Sequence, residues 1–130
     1  MRFTVDRLDH LVLTCRDTEI SASWYQRVLG MEREEFGQGR TALRFGGQKL
    51  NLRQSDSPDW PTAPGVLPGT MDLCFVTAVA PGDIASHMRT CGVEIVDGPA
   101  PKVGALGPIQ SVYIRDPDGN KIEIASYLFE

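Results

Sequence analysis

Four polar residues stand at matching points of two halves of this chain: His10 and Asn51 in the first, Asp72 and Glu123 in the second. The halves repeat one another. Asp9-His10-Leu11-Val12-Leu13 leads to a helical stretch ending Val28-Leu29-Gly30, then to Gly47-Gln48-Lys49-Leu50-Asn51-Leu52. Met71-Asp72-Leu73-Cys74-Phe75 leads to a helical stretch ending Thr90-Cys91-Gly92, then to Gly119-Asn120-Lys121-Ile122-Glu123-Ile124. A repeat fixes architecture and pairs positions, His10 with Asp72 and Asn51 with Glu123. An imidazole in an apolar strand serves as a ligand, as a general acid or base, or as a hydrogen-bonded core group. Glu123 lies between Ile122 and Ile124, so its carboxylate points away from their face. A carboxylate withdrawn from water calls for a cation. Asp72 meets the same problem one strand over. Two carboxylates in one groove repel each other unless one is protonated or a divalent ion joins them.

The elements that must position these groups follow from periodicity. Leu8 to Thr14 is a near-continuous apolar run suited to a strand buried on both faces. Asp17-Thr18 offers N-cap oxygens, and Ile20, Trp24 and Val28, with Tyr25 and Leu29, form a helical stripe that Gly30 stops. Met31–Phe36, Thr41–Phe45 and Lys49–Arg53 read as strands joined at glycine turns, and the last alternates Leu50 and Leu52 with polar residues. Ser55 to Gly69, with four prolines, is a connector. Met71–Thr77 opens the second copy as a strand, and Pro81 suits the first turn of a helix whose stripe is Ile84, His87, Met88 and Cys91. Val93–Val96 reads as a strand and Gly98–Pro108, with Lys102, as a loop or lid. Ser111–Ile114 and Lys121–Ser126 close the unit around Asp116-Pro117-Asp118-Gly119, where the aspartates cap their own turn. Each half is β-α-β-β-β, with repeats at about 6–54 and 70–128 of one 130-residue domain.

A formal charge of −4 argues against a nucleic-acid footprint, which is normally basic. No apolar run approaches the roughly 20 residues of a membrane span, and the acid at Asp6 interrupts any signal-like start. The cysteines, Cys15, Cys74 and Cys91, are odd in number and form no C-x-x-C pair, which suits buried free thiols in a cytoplasmic setting.

The Asp-His opening, the helix end Trp24-Tyr25-Gln26-Arg27-Val28-Leu29-Gly30 and the stretch from Arg115 to Glu123 resemble the vicinal oxygen chelate superfamily. It includes glyoxalase I, fosfomycin-resistance thioltransferases, extradiol dioxygenases and bleomycin-binding proteins. Small glyoxalase-domain, lactoylglutathione lyase-like proteins are the most similar group. The resemblance implies an α+β fold in which two βαβββ modules pair into an open, partly closed mixed sheet with an internal groove. It also implies metal ligands at His10, Asn51, Asp72 and Glu123. His10 and Glu123 match the pattern; Asp72 stands where metal-dependent members mostly have His, and Asn51 where glyoxalase I has Glu or Gln. One imidazole, two carboxylates and an amide are mainly hard donors, favouring Mn²⁺, Mg²⁺ or Fe²⁺, with Zn²⁺, Ni²⁺ and Co²⁺ also open. Asn51 either ligates or orients water or substrate.

Two functions are implied. One is a metal-dependent lyase, isomerase or thiol-transferase acting on a small oxygenated substrate, with Glu123 or Asp72 as the base and Arg44, Lys49, Arg53 or Arg115 available for an anionic group. The alternative is a metal-free module that sequesters a drug-like ligand. A homodimer is expected, since short members complete their grooves with a second chain.

Overall fold

The computed structural model describes residues 1–128 of the chain. Its elements are β1 (His10–Cys15), α1 (Thr18–Leu29), β2 (Glu32–Phe36), β3 (Arg40–Phe45), β4 (Gln48–Gln54), β5 (Asp72–Val76), α2 (Pro81–Thr90), β6 (Asp97–Gly104), β7 (Gly107–Arg115) and β8 (Lys121–Ser126). They form two compact units, Met1–Gly65 and one beginning at Val66. Each unit is one βαβββ module. In the first, the strand order is β1-β4-β3-β2, with β1 parallel to β4 and the rest antiparallel. In the second it is β5-β8-β7-β6, with β5 parallel to β8. The repeat read from the sequence is thus a repeat of topology.

Helix α1 begins where Asp17, in extended conformation, accepts from the Glu19 and Ile20 amides. It ends at Gly30, whose φ of 65° is left-handed. Its buried face is Ser21, Ala22, Tyr25 and Val28, while Ile20 is exposed and Trp24 half-buried. The stripe is therefore turned from the expected Ile20–Trp24–Val28 line. Small residues at 21 and 22 bring the helix backbone close to the sheet, and Tyr25 supplies the bulk. Helix α2 buries Pro81, Ile84, Ala85 and Met88 and leaves His87 exposed and Cys91 half-buried. The first core centres on Leu13, Leu43 and Leu50, the second on Val112, Ile114 and Ile122, all fully buried.

Three sequence expectations change. Leu8 is exposed and β1 starts only at His10, with burial completed from Leu13 onward. Cys74 is exposed and Cys91 half-buried; of the three thiols only Cys15 is in the core. The stretch Gly98–Pro108 is no loop: β6 and the start of β7 occupy it, with a tight turn at Ala105-Leu106, and Val93–Val96 is not a strand. Proline is confined to sheet edges and strand ends, and β6 is an edge strand, so Pro99 and Pro101 fit there. A register shift between Asp97 and Ala100 accommodates Gly98 at φ 92°.

At Gly98 an added Cβ would lie 2.2 Å from the Ser111 carbonyl oxygen. Gly37 also has positive φ, but its Cβ position is open. Gly98→Ala is expected to lower unfolding free energy by about 2 kcal/mol or more, and Gly37→Ala by about 1 kcal/mol. Urea unfolding of both variants checks this order.

Candidate functional site

In the first unit, His10 pairs with Lys49 and Val12 with Asn51, so His10 and Asn51 share one sheet face, one row apart. His10 is exposed, and its Nδ1 lies 2.8 Å from Asp9 Oδ2. That contact occupies Nδ1 of the ring and holds the Asp9 carboxyl below its usual range. Asn51, in the central strand β4, is 6% exposed. Its Oδ1 is buried with no hydrogen-bond partner among the described residues. An orphaned carbonyl acceptor calls for a donor or a cation, since leaving it bare costs about 1–3 kcal/mol.

In the second unit, Asp72 pairs with Lys121, and Cys74, Glu123 and Tyr113 lie in one row across β5, β8 and β7. Asp72 is exposed; Glu123 is half-buried between fully or nearly fully buried Ile122 and Ile124 on the opposite face. Ser111 Oγ donates to Glu123 Oε2 at 2.5 Å. Loss of solvent, followed by the charge of Glu123, pushes the Cys74 thiol up to about 11 and the Tyr113 hydroxyl up to about 12. Two buried, mutually repelling carboxylates are therefore not what this unit contains. Water relieves Asp72, and hydroxyl donation relieves Glu123.

Cys74 supplies a check on that microenvironment. A thiol raised from 9.0 to about 11 holds roughly one-hundredth the thiolate of an ordinary one at pH 8, and thiolate is the nucleophile. Cys74 is expected to react with iodoacetamide on the order of a hundredfold more slowly than an ordinary exposed cysteine. The rate should climb with pH through 10, and Glu123→Gln should restore part of it. Peptide mapping by mass spectrometry reads this site by site.

The cations offered for an anionic substrate are engaged elsewhere. Arg44 pairs with Glu34, which also takes Lys49 Nζ at 3.7 Å. Arg53 donates to the Trp60 carbonyl and Thr14, and Arg115 to the Gly119 carbonyl. Lys102 lies on β6, its ammonium 5.5 Å from the centre of the Tyr113 ring. Asp116 accepts from the Asp118 and Asn120 amides at 2.9 Å, so this aspartate caps the β7–β8 turn as expected. An open cavity of about 680 Å³ in the first unit is lined by none of the four candidates. Its Arg40 stacks on Trp60, its Ser57 bonds Asp59, and its Gln54 accepts from Thr18 and donates to the Arg16 carbonyl.

Among the described residues no group of three or more His, Cys, Asp or Glu is disposed to hold a metal ion. Each unit carries two of the four candidates. Their chemistry nonetheless suits a hard divalent ion: an oriented imidazole, an unpartnered amide oxygen and two carboxylates. Residues that the sequence reading passed over are Asp9 beside His10, and Ser111, Tyr113 and Cys74 around Glu123.

Comparison with known proteins agrees with this fold. The sequence profile of the Glyoxalase/Bleomycin resistance protein/Dioxygenase superfamily matches residues 7–124, and the chain belongs to that superfamily. It is 45% identical to Virulence protein STM3117 of Salmonella typhimurium, over 98% of this chain and 89% of that one. It is 47% identical to Glyoxalase domain-containing protein RDO1 of Mycosarcoma maydis, over 97% and 71%. An integron cassette protein from the mobile metagenome of Vibrio cholerae superposes with a TM-score of 0.95 at 44% identity, over 98% and 100%. Fold alone is shared with a lactoylglutathione lyase from Agrobacterium tumefaciens (TM-score 0.72, 21% identity) and a Listeria monocytogenes fosfomycin resistance protein complexed with Mn(II) (0.62, 18%). Among the described residues no helix is long and apolar enough to cross a membrane.

Proposed function

We propose that the protein is a metal-dependent enzyme acting on a small oxygenated substrate, of lyase, isomerase or thiol-transferase type. In this reading His10, Asn51, Asp72 and Glu123 hold one divalent ion. The observation that carries it is Asn51 Oδ1: a buried acceptor without a partner, one row from an imidazole whose second nitrogen is already fixed by Asp9. Such an oxygen is satisfied by a cation or a donor and by no anion. Membership of a superfamily that includes lyases and fosfomycin-resistance enzymes supports the same reading. When bound, the ion supplies Lewis-acid polarisation of substrate oxygens. Glu123 then takes up the substrate proton, with one of its oxygens held by Ser111. His10 and Asn51 complete the ligand set as neutral donors, and Asp72 offsets the charge of the ion.

The working unit in this proposal is a homodimer, with each chain contributing ligands to shared sites. Its support is the apolar surface that Met1, Phe3, Val5 and Leu8 leave exposed ahead of β1. Light scattering is expected to give twice the 14.3 kDa chain mass; a monomer at micromolar concentration refutes it.

One observation favours the second reading, a metal-free binding module: Glu123 already has a hydroxyl partner and needs no ion for its charge. Elemental analysis after chelator-free purification separates the two. The enzyme reading expects close to one equivalent of Mn, Fe, Ni, Co or Zn per chain, or stoichiometric uptake on titration. Uptake should weaken on acidification, because the ligands bind deprotonated. Protein that takes up none of these metals or Mg²⁺, yet binds a hydrophobic drug, is the binding module.

A further inference from the structure

We infer that Ser111 is a positioning residue for Glu123, setting the torsion with which its carboxylate faces the ion and substrate. The inference rests on the metal reading above.

Ser111 lies on β7, 0% exposed, with Ala100 opposite it on one neighbouring strand and Ala125 on the other. Neither alanine side chain offers a hydrogen bond. The residue directly opposite Glu123 on β7 is Tyr113, so the serine reaches diagonally from the next row to meet Oε2 at 2.5 Å. A hydroxyl buried among alanines is costly unless its proton finds an acceptor, and a carboxylate is a strong one. A hydroxyl has one proton and therefore fixes one oxygen. That donation sets the torsion of the carboxyl group, whose other polar neighbours are the Tyr113 hydroxyl and the Cys74 thiol. Full burial keeps Ser111 from touching substrate, so it acts through Glu123.

The test is calorimetric titration of Mn²⁺ into chelator-stripped, full-length wild type, Ser111→Ala and Ser111→Thr, with thermal unfolding of each metal-free protein alongside. Loss of an outer-shell partner typically weakens metal binding about 10–100-fold. Ser111→Ala is expected to show a loss of that size while its metal-free unfolding midpoint stays close to wild type. Ser111→Thr, which keeps the hydroxyl and suits a strand, is expected to restore affinity to within about threefold. The electron paramagnetic resonance spectrum of bound Mn²⁺ should change in Ser111→Ala and revert in Ser111→Thr. Two results overturn the assignment with the metal site intact: Ser111→Ala binding as wild type does, or affinity in both variants falling only as stability falls. Wild type that takes up no metal overturns the metal reading itself, and this inference with it.

Discussion

Glu123→Gln is expected to reduce turnover by roughly 10²–10⁴-fold, the usual worth of a positioned general base. The same change is expected to weaken Mn²⁺ binding by more than the about 10–100-fold lost with an outer-shell partner. The exchange keeps shape and leaves Ser111 an oxygen to donate to, but it removes the charge proposed to offset the ion and the basicity proposed to accept a proton. Stability should hardly move, because Glu123 is only half-buried and the core beneath it is Ile122 and Ile124. Asn51→Ala is expected to cost less affinity, since a neutral amide binds cations less strongly. It also removes a buried acceptor that has no partner, so metal-free Asn51→Ala should be no less stable than wild type. Titration calorimetry, steady-state kinetics and thermal unfolding read these effects separately.

Asp116→Ala is expected to destabilise the second unit by on the order of 3 kcal/mol or more. Asp116 is 5% exposed and accepts from two backbone amides and from Asn120 Nδ2 at 2.7 Å. Asn120, fully buried, in turn accepts the Met71 amide at 2.8 Å through its Oδ1. This network ties the β7–β8 turn to the residue just before β5. Removing Asp116 leaves several buried donors unpaired, each costing about 1–3 kcal/mol. Because Asp72 opens β5 and Glu123 sits on β8, the same change should loosen both candidate carboxylates. Asp116→Asn, which keeps an acceptor for the turn amides, is expected to recover part of the loss. Urea unfolding of the two variants measures the difference.

Much of this architecture was legible because the same βαβββ order occurs in both halves of the chain. The helix caps at Asp17 and Gly30 and the Asp116–Gly119 turn are set by local backbone chemistry, which a sequence states directly. The β6–β7 hairpin was hidden because Pro99, Pro101 and Pro108 imitate a loop. An edge strand tolerates Pro99 and Pro101, the start of a strand tolerates Pro108, and edge position is a property of the sheet rather than of the segment. The α1 stripe holds at Tyr25 and Val28 but misses Ser21 and Ala22, since Ile20 and Trp24 outweigh them in apparent hydrophobicity, yet close packing against a sheet favours small residues. His10, Asn51, Asp72 and Glu123 were found through the repeat. Ser111 and Tyr113 were within reach too. Counting back from the turn, Arg115 pairs with Lys121 and Tyr113 with Glu123, so alternation alone brings Ser111 and Tyr113 to the Glu123 face. The orphaned oxygen of Asn51 was not legible, because partner loss emerges only when the neighbours are in place.

The most direct measurement of the metal-site proposal is anomalous diffraction from crystals of the full chain grown with Mn²⁺. One anomalous peak is expected per set of His10, Asn51, Asp72 and Glu123, with nitrogen and oxygen ligands roughly 2.0–2.3 Å from the ion. Glu123→Gln crystals should lose or greatly weaken the peak. An ion bound away from these four residues, or Mn²⁺-soaked crystals with no peak near them and Asn51 Oδ1 satisfied by a protein donor, contradicts the account.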